Sequence, residues 1–349
     1  VMIRFSLACI AFSLIVFSCK PAEDQGHDRP ATIRTEMKSP KYAIVIHGGA
    51  GTIQRENMST EKDSSYRAML NTALDVGEKI LAAGGSSLDA IEATIRIMED
   101  SPLFNAGRGA VFTHEGKNAH DASIMEGSDQ MAGAITGTSN VKHPISLARA
   151  VMEKSKHVMM AGKGAETFAA EVGLEQVDPK YFYTERRWNS LQRILKKEEV
   201  ELEFTADDVD KKQGTVGCVA LDKNGNIAAG TSTGGMTNKR YDRIGDSPVI
   251  GAGTFADNLT CGVSATGHGE FFIRFTVARD ISAMMEYGGY TLEEASEKII
   301  NEKLVEKGGA GGVVALDRYG NISMPFNTSG MYRGWRKPGK QYVGIYKGE

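Results

Sequence analysis

A threonine hydroxyl is a weak nucleophile because its proton is hard to remove. A free α-amine on the same residue supplies a base beside Oγ, and that amine titrates near neutral pH (roughly 7.7–8.0). Thr215, in the run Gln213-Gly214-Thr215-Val216-Gly217, has its nitrogen locked in a peptide bond with Gly214. The chemistry therefore requires the chain to cut itself between Gly214 and Thr215. Glycine suits the upstream side, since it tolerates strained backbone and leaves its carbonyl unshielded. Downstream, Arg243 and Asp246 offer two recognition groups. A planar guanidinium grips a carboxylate through two parallel bonds, and a carboxylate takes an ammonium. Each feature alone has a plainer reading: a Gly-Thr-Val-Gly that opens a strand, and a surface ion pair at i, i+3.

The elements that must position these residues follow from periodicity. Residues 42–46 predict a buried strand that ends in a turn over His47-Gly48-Gly49-Ala50-Gly51. Met69, Ala73, Val76 and Ile80 share a helical face that Gly84-Gly85 closes. Ser87 is placed to cap a second helix bearing Leu88, Ile91, Ile95 and Met98. Residues 110–125 predict a hairpin turning at Glu115-Gly116, and 144–152, 164–170 and 274–287 predict further helices. The last carries Phe275, Ala278, Ile281 and Met285 on one face. The charge-crowded stretch 194–212 predicts an exposed, mobile linker just before Thr215.

An internal repeat underlies the second half. Residues 214–236 align without gaps on 309–331, with 12 identities in 23 positions. Val219-Ala220-Leu221-Asp222 and Gly225-Asn226-Ile227 recur as Val314-Ala315-Leu316-Asp317 and Gly320-Asn321-Ile322, a β-hairpin in each copy. Thr233 recurs as Thr328, whereas the counterpart of Thr215 is Ala310.

A formal charge of −3, with no long run of Lys or Arg, argues against a nucleic-acid partner. Arg4 precedes an apolar stretch over 5–17, too short to span a membrane comfortably and of the length of a signal-peptide core. It ends in Val16-Phe17-Ser18-Cys19, similar to a lipobox. The expectation is a signal peptide over 1–18, a polar tether over 19–41 and a catalytic domain over 42–349. The protein would be exported to the periplasm or cell surface, with membrane contact only through a lipid on Cys19. Cys218 and Cys261 read as small core residues, with a disulfide between them left open.

Thr215, Thr233, Arg243, Asp246 and the run Ala265-Thr266-Gly267-His268-Gly269-Glu270 occur together at the spacing of one family. The chain resembles the plant-type asparaginases and isoaspartyl peptidases, threonine aspartase-like members of the N-terminal-nucleophile hydrolases. The resemblance extends through 46–51, through Pro102-Leu103-Phe104-Asn105-Ala106-Gly107-Arg108-Gly109, and through 325–331.

It implies an α+β fold, a four-layer αββα sandwich, cut at Gly214/Thr215 into an α chain (19–214) and a β chain (215–349). Two such heterodimers would pair. Thr215 would be nucleophile and base, with Thr233 positioning it. Thr266 and the Gly267 N–H would serve as oxyanion donors, and Asn105 would help hold nucleophile or oxyanion. Arg243, Asp246 and Gly269 would seat the α-carboxylate and α-amine of a small aspartyl substrate or dipeptide.

No catalytic cofactor is implied. A structural sodium is, held by backbone carbonyls of Met98, Glu99, Ser101, Phe104, Ala106 and Arg108. Glycosylasparaginase is the rival within the fold, and a non-catalytic surface lipoprotein the rival outside it. Asp242 is a departure, since relatives often carry glycine just before the clamp arginine. His47 reads as structural, and the loose dinucleotide pattern over 251–256 is set aside because glycines interrupt any helix after it.

Overall fold

The computed structural model describes residues 42–200 and 214–349. Its elements in chain order are β1 (Ala43–Gly51), α1 (Thr60–Ala82), α2 (Ser87–Glu99), β2 (His120–Glu126), β3 (Ala132–Thr138), α3 (Pro144–Lys154), β4 (Met159–Ala161), α4 (Gly162–Glu171) and α5 (Glu185–Val200). After residue 213 come β5 (Val216–Leu221), β6 (Ile227–Thr233), β7 (Thr254–Ala256), β8 (Cys261–Gly267), α6 (Gly269–Arg274), α7 (Val277–Gly288) and α8 (Leu292–Glu297). The chain closes with β9 (Gly311–Asp317), β10 (Ile322–Ser323), β11 (Gly330–Lys337) and β12 (Lys340–Tyr346).

The strands form a mixed α+β fold with two sheets, ordered β12-β11-β1-β5-β6-β2-β3-β4 and β10-β9-β8-β7. Side chains alternate along a strand, and β1 shows what each face of the large sheet meets. Ile44 and Ile46 enter one apolar cluster with Leu70 and Leu74 of α1 and Ile91 and Ile95 of α2. Ala43 and Val45 point the other way, into a second cluster with Val263 of β8 and Val313 of β9. β5 divides likewise, Cys218 and Ala220 against Val219 and Leu221. A strand covered on both faces must be apolar throughout, which is why 42–46 reads as an unbroken run. Helices α7 and α8 pack on strands of the small sheet.

Both repeated segments are antiparallel hairpins, β5–β6 and β9–β10. Their turns use the same chemistry. Asp222 Oδ1 accepts from the N–H groups of Asn224 and Asn226, and Asp317 Oδ1 from those of Tyr319 and Asn321. These local bonds account for the shared Asp.

Several expectations are corrected. His47–Gly51 is not a loop: β1 continues to Gly51 with a bulge between His47 and Gly49, because β11 pairs with it along its length. Ser86, not Ser87, caps α2, its side chain accepting from the Asp89 N–H. The buried face of α1 is Tyr66, Leu70, Ala73, Leu74, Gly77 and Leu81, set by contact with β1 and β11. The helix expected over 274–287 is broken at Thr276, whose φ is +46°. Residues 194–200 are helical because α5 buries Leu191 and stacks Trp188 edge-on against Phe112. The rest of the expected linker lies outside the described residues. Cys218 and Cys261 are both buried and free, their thiols pushed well up by burial.

Candidate active site

Gly214 and Thr215 sit where the chain enters β5, against the end of β1. A Cβ on Gly49 would lie 2.8 Å from Gly214 Cα and 3.1 Å from Thr215 N, so the 214–215 peptide rests directly on bare backbone. Its neighbours arrive from two sides. Asn105 is buried and uses all of its amide. Nδ2 donates to the carbonyls of Gly214 (2.7 Å) and Gly235 (2.7 Å), while Oδ1 accepts from Val111 N–H. From the end of β6, Thr233 Oγ1 accepts from Thr215 Oγ1 (3.2 Å) and donates to the Gly214 carbonyl (3.2 Å). It also accepts from the Gly235 N–H at 3.0 Å. Two donors therefore polarise the one carbonyl next to the candidate nucleophile.

Thr215, Thr233, Gly267, Arg243 and Asp246 line one common cavity of about 10 Å³, roughly the room of a single water. The expected oxyanion pair is only half assembled there. Gly267 lines the cavity at φ +150°, where a Cβ would meet the Ala310 carbonyl and Gly311 Cα. Thr266 is buried in β8 and its Oγ1 accepts from the Ala50 N–H at 3.3 Å.

The clamp also differs in detail. Arg243 gives its planar fork to Glu270, Nε to Oε1 at 2.9 Å and Nη2 to Oε2 at 2.8 Å. Asp246 is buried, and burial pushes its carboxyl up to about 7, countered by its own N–H and by Arg243. Its Oδ2 has no partner among the described residues, which leaves an acceptor for a bound ammonium. Gly269 is bare because a Cβ there would come 2.8 Å from Arg243 Nη2 and 3.0 Å from Asp246 Oδ1.

Four participants escaped sequence reasoning. Glu270 carries no motif of its own beyond its place after Gly269. Lys239 is buried beside Asp121 at 3.6 Å and donates to the Ala119 carbonyl beneath Gly235. Glu198, on α5, binds Asn238 and Arg240 in the loop before the clamp. His47 touches the Thr215 carbonyl from β1 (3.1 Å). All four depend on tertiary pairing that spacing does not encode. His268 lies 3.4 Å from Glu270 and does not line the cavity.

Comparison with known proteins adds an independent line. A family model described as Asparaginase matches residues 40–345. The isoaspartyl peptidase of Escherichia coli (strain K12) is 48% identical over 310 residues, covering 88% of this chain and 97% of its own length. That of Salmonella typhimurium is 48% identical over 88% of this chain and 99% of its own. The isoaspartyl peptidase/L-asparaginase of Mus musculus is 40% identical over 86% and 90%. This chain belongs to the asparaginase family.

As a member of that family the chain is a hydrolase, and the family needs no catalytic cofactor. The expectation of an exported, lipid-anchored protein does not stand. The relatives aligned over most of the chain are named as isoaspartyl peptidases, with neither lipid nor export in the name. Among the described residues no helix is long and apolar enough to cross a membrane. Residues 1–18, the tether 19–41 and Cys19 lie outside the described residues.

In the loop expected to hold sodium, a Cβ on Gly107 would come 2.4 Å from the Glu99 carbonyl oxygen, and one on Gly109 2.0 Å from that of Phe104. The Met98 and Ala106 carbonyls accept backbone N–H groups, from Ser101 and Gly109.

Proposed function

We propose that this chain is a self-processing isoaspartyl peptidase with L-asparaginase activity, using Thr215 as nucleophile. The observation that carries this reading is the Gly214 carbonyl held by both Asn105 and Thr233, with Thr215 Oγ on the same Thr233 hydroxyl.

Thr215 Oγ attacks the Gly214 carbonyl carbon, and negative charge gathers on the oxygen that Asn105 and Thr233 already face. Preorganised donors of this kind are each worth about 3–4 kcal/mol. The C–N bond breaks, the proton lost by Oγ ends on the nitrogen, and Gly214 is left as an ester on Oγ. Water hydrolyses the ester, giving a Gly214 carboxylate and a Thr215 with a free amine.

In turnover that amine takes the Oγ proton, and Oγ attacks the side-chain carbonyl of asparagine or of a β-aspartyl dipeptide. Ammonia or the amino-terminal amine of the released residue leaves. Water then frees aspartate from the β-aspartyl ester. The same Thr233 hydroxyl orients Oγ in both reactions, with Thr266 and the Gly267 N–H as oxyanion donors in turnover. Arg243 takes the substrate α-carboxylate, sharing or exchanging its Glu270 partner, and the buried, unpartnered Oδ2 of Asp246 takes the α-ammonium. Gly269 keeps that seat clear.

The architecture accompanying this reading is the four-layer αββα sandwich, supported by helices α1–α3 on one face of the large sheet and the small sheet on the other. The carbonyl-crowded curl at Glu99 and Phe104 fits a hard monovalent ion bound by oxygen alone. With Met98, Ser101, Ala106 and Arg108 it would hold a structural sodium. The mature enzyme pairs two cleaved protomers. No nucleic acid takes part.

The test is steady-state hydrolysis of a β-aspartyl dipeptide and of asparagine by the wild type and Thr215→Ala. Turnover by the wild type alone supports the reading, and equal rates overturn it.

A further inference from the structure

Behind the site, five side chains with no measurable exposure form one unbroken hydrogen-bonded chain across the two sheets. His47 Nδ1 lies 3.1 Å from the Thr215 carbonyl, and its Nε2 lies 2.9 Å from Ser264 Oγ. Ser264 Oγ is 2.7 Å from Thr231 Oγ1, which Thr254 Oγ1 meets at 2.6 Å. Ser123 Oγ follows, 2.8 Å from Thr254 Oγ1. The chain ends on the backbone turn that carries Asp246: Ser123 donates to the Ser247 carbonyl at 2.6 Å, and Thr231 to the Gly253 carbonyl at 3.0 Å. Three elements of the large sheet, β1, β2 and β6, contribute His47, Ser123 and Thr231. Thr254 and Ser264 come from β7 and β8 of the small sheet.

The proton order follows from the acceptors. A carbonyl can only accept, so His47 must donate from Nδ1 to Thr215. Burial lowers the imidazole to about 3, so the ring is neutral at working pH and Nε2 has only a lone pair. Ser264 must then spend its one hydrogen on Nε2, so Thr231 is the donor in its contact with Ser264. Thr254 donates to Thr231, and Ser123 completes the series. Thr231 and Ser123 each face a second acceptor, the Gly253 and Ser247 carbonyls, and each shares its single hydrogen between that carbonyl and the neighbouring hydroxyl in a three-centre bond. The chain is tightly packed as well: a Cβ on Gly217 would lie 1.9 Å from Ser264 Oγ and 2.2 Å from His47 Nε2.

We propose that His47, Ser264, Thr231, Thr254 and Ser123 are a positioning relay that fixes Thr215 and the Asp246 turn in register with each other. The proposal rests on the reading of Thr215 as nucleophile and Asp246 as part of the substrate seat. None of the five meets substrate or a reacting atom. They act by holding the Thr215 carbonyl from one end while Thr233 holds its Oγ, and by holding the Ser247 and Gly253 carbonyls from the other. The relay makes self-cleavage, which uses no substrate, depend on hydroxyls at the substrate end.

The test uses the full chain with Thr254→Val, which removes a mid-relay hydroxyl and keeps the shape, beside Thr254→Ser, which keeps the hydroxyl. Self-cleavage is timed by denaturing mass spectrometry, and kcat and KM for a β-aspartyl dipeptide are measured on the cleaved fraction. The relay predicts that Thr254→Val slows self-cleavage about tenfold and also raises KM, while Thr254→Ser stays near wild type in both. Cleavage at the wild-type rate in Thr254→Val, or equal slowing in both variants, overturns it. Ser123→Ala carries the same prediction should Thr254→Val fold poorly. Thr215→Ala in parallel separates the two claims. If that variant is still cut, the nucleophile reading fails, whereas an uncut Thr215→Ala with an unimpaired Thr254→Val sinks the relay alone.

Discussion

The two copies of the repeated hairpin are a controlled comparison inside one chain. In the first, Asn105 Nδ2 holds the Gly214 carbonyl at 2.7 Å; in the second, Asn327 Nδ2 holds the corresponding Gly309 carbonyl at 3.0 Å. Both turn on an aspartate that accepts two N–H groups, and both open with a glycine before the divergent position. The first copy then places Thr215, buried, against Thr233, while the second places Ala310, exposed, with its carbonyl taken by the His268 N–H. A polarised glycine carbonyl is thus part of the shared scaffold. What distinguishes the first copy is a hydroxyl beside that carbonyl and a second hydroxyl to aim it.

The comparison can be broken first at the amide that holds the Gly214 carbonyl. Among substitutions that leave Thr215 in place, Asn105→Ala is expected to slow self-cleavage most, by about 10²–10³-fold. The fraction of cut chain against time on a denaturing gel measures it, and a rate within a few-fold of wild type would contradict the polarising role.

Next comes the seat the second copy lacks. Arg243→Lys loses the planar fork, and KM for a β-aspartyl dipeptide is expected to rise about 10- to 100-fold with a smaller change in kcat. Initial-rate kinetics on the cleaved enzyme decide it, and a pure kcat loss would move Arg243 out of the seat.

A subtler effect concerns pH. Asp246 holds its proton up to about 7 in the fold and has an ordinary value of 3.8. The folded form binds the extra proton, so this group's contribution to the stability of the ligand-free protein falls as pH rises from 3.8 to about 7 and is level above. An ammonium prefers the ionised carboxyl, so KM rises as pH falls below about 7. Asp246→Asn should flatten both profiles, read by thermal melting and by KM against pH. A KM profile unchanged by the substitution would assign the titration elsewhere.

The smallest effect sharpens the comparison from the other side. Ala310→Thr restores the hydroxyl to the second copy without a counterpart of the Thr215–Thr233 contact, since Thr328 Oγ1 already donates to the Gly330 carbonyl. No cleavage after Gly309 is expected by mass spectrometry. A cut there would mean that a held carbonyl and a neighbouring hydroxyl suffice.

Much of the frame was legible in the sequence because it is local. The hairpins announce themselves through Asp222 and Asp317, and α2 through Ile91, Ile95 and Met98, all fully buried. The site was legible where glycines and threonines cluster in the chain: Gly214, Thr215, Thr233, Gly267 and Asp246 do line one cavity. What spacing could not convey is partnership between segments far apart in the chain. The fork of Arg243 on Glu270 and the imidazole of His47 under Thr215 join residues 27 and 168 positions apart. Residues 194–200 read as linker because of their charge, yet they continue α5, which buries Leu191 upstream and brings Glu198 to Arg240.

The most direct measurement is denaturing mass spectrometry of the purified full chain beside Thr215→Ala. With Thr215 as nucleophile, the wild type breaks between Gly214 and Thr215, giving a fragment of residues 215–349, and the Thr215→Ala chain stays intact. An uncut wild type after long incubation, or the same cut in Thr215→Ala, would contradict it.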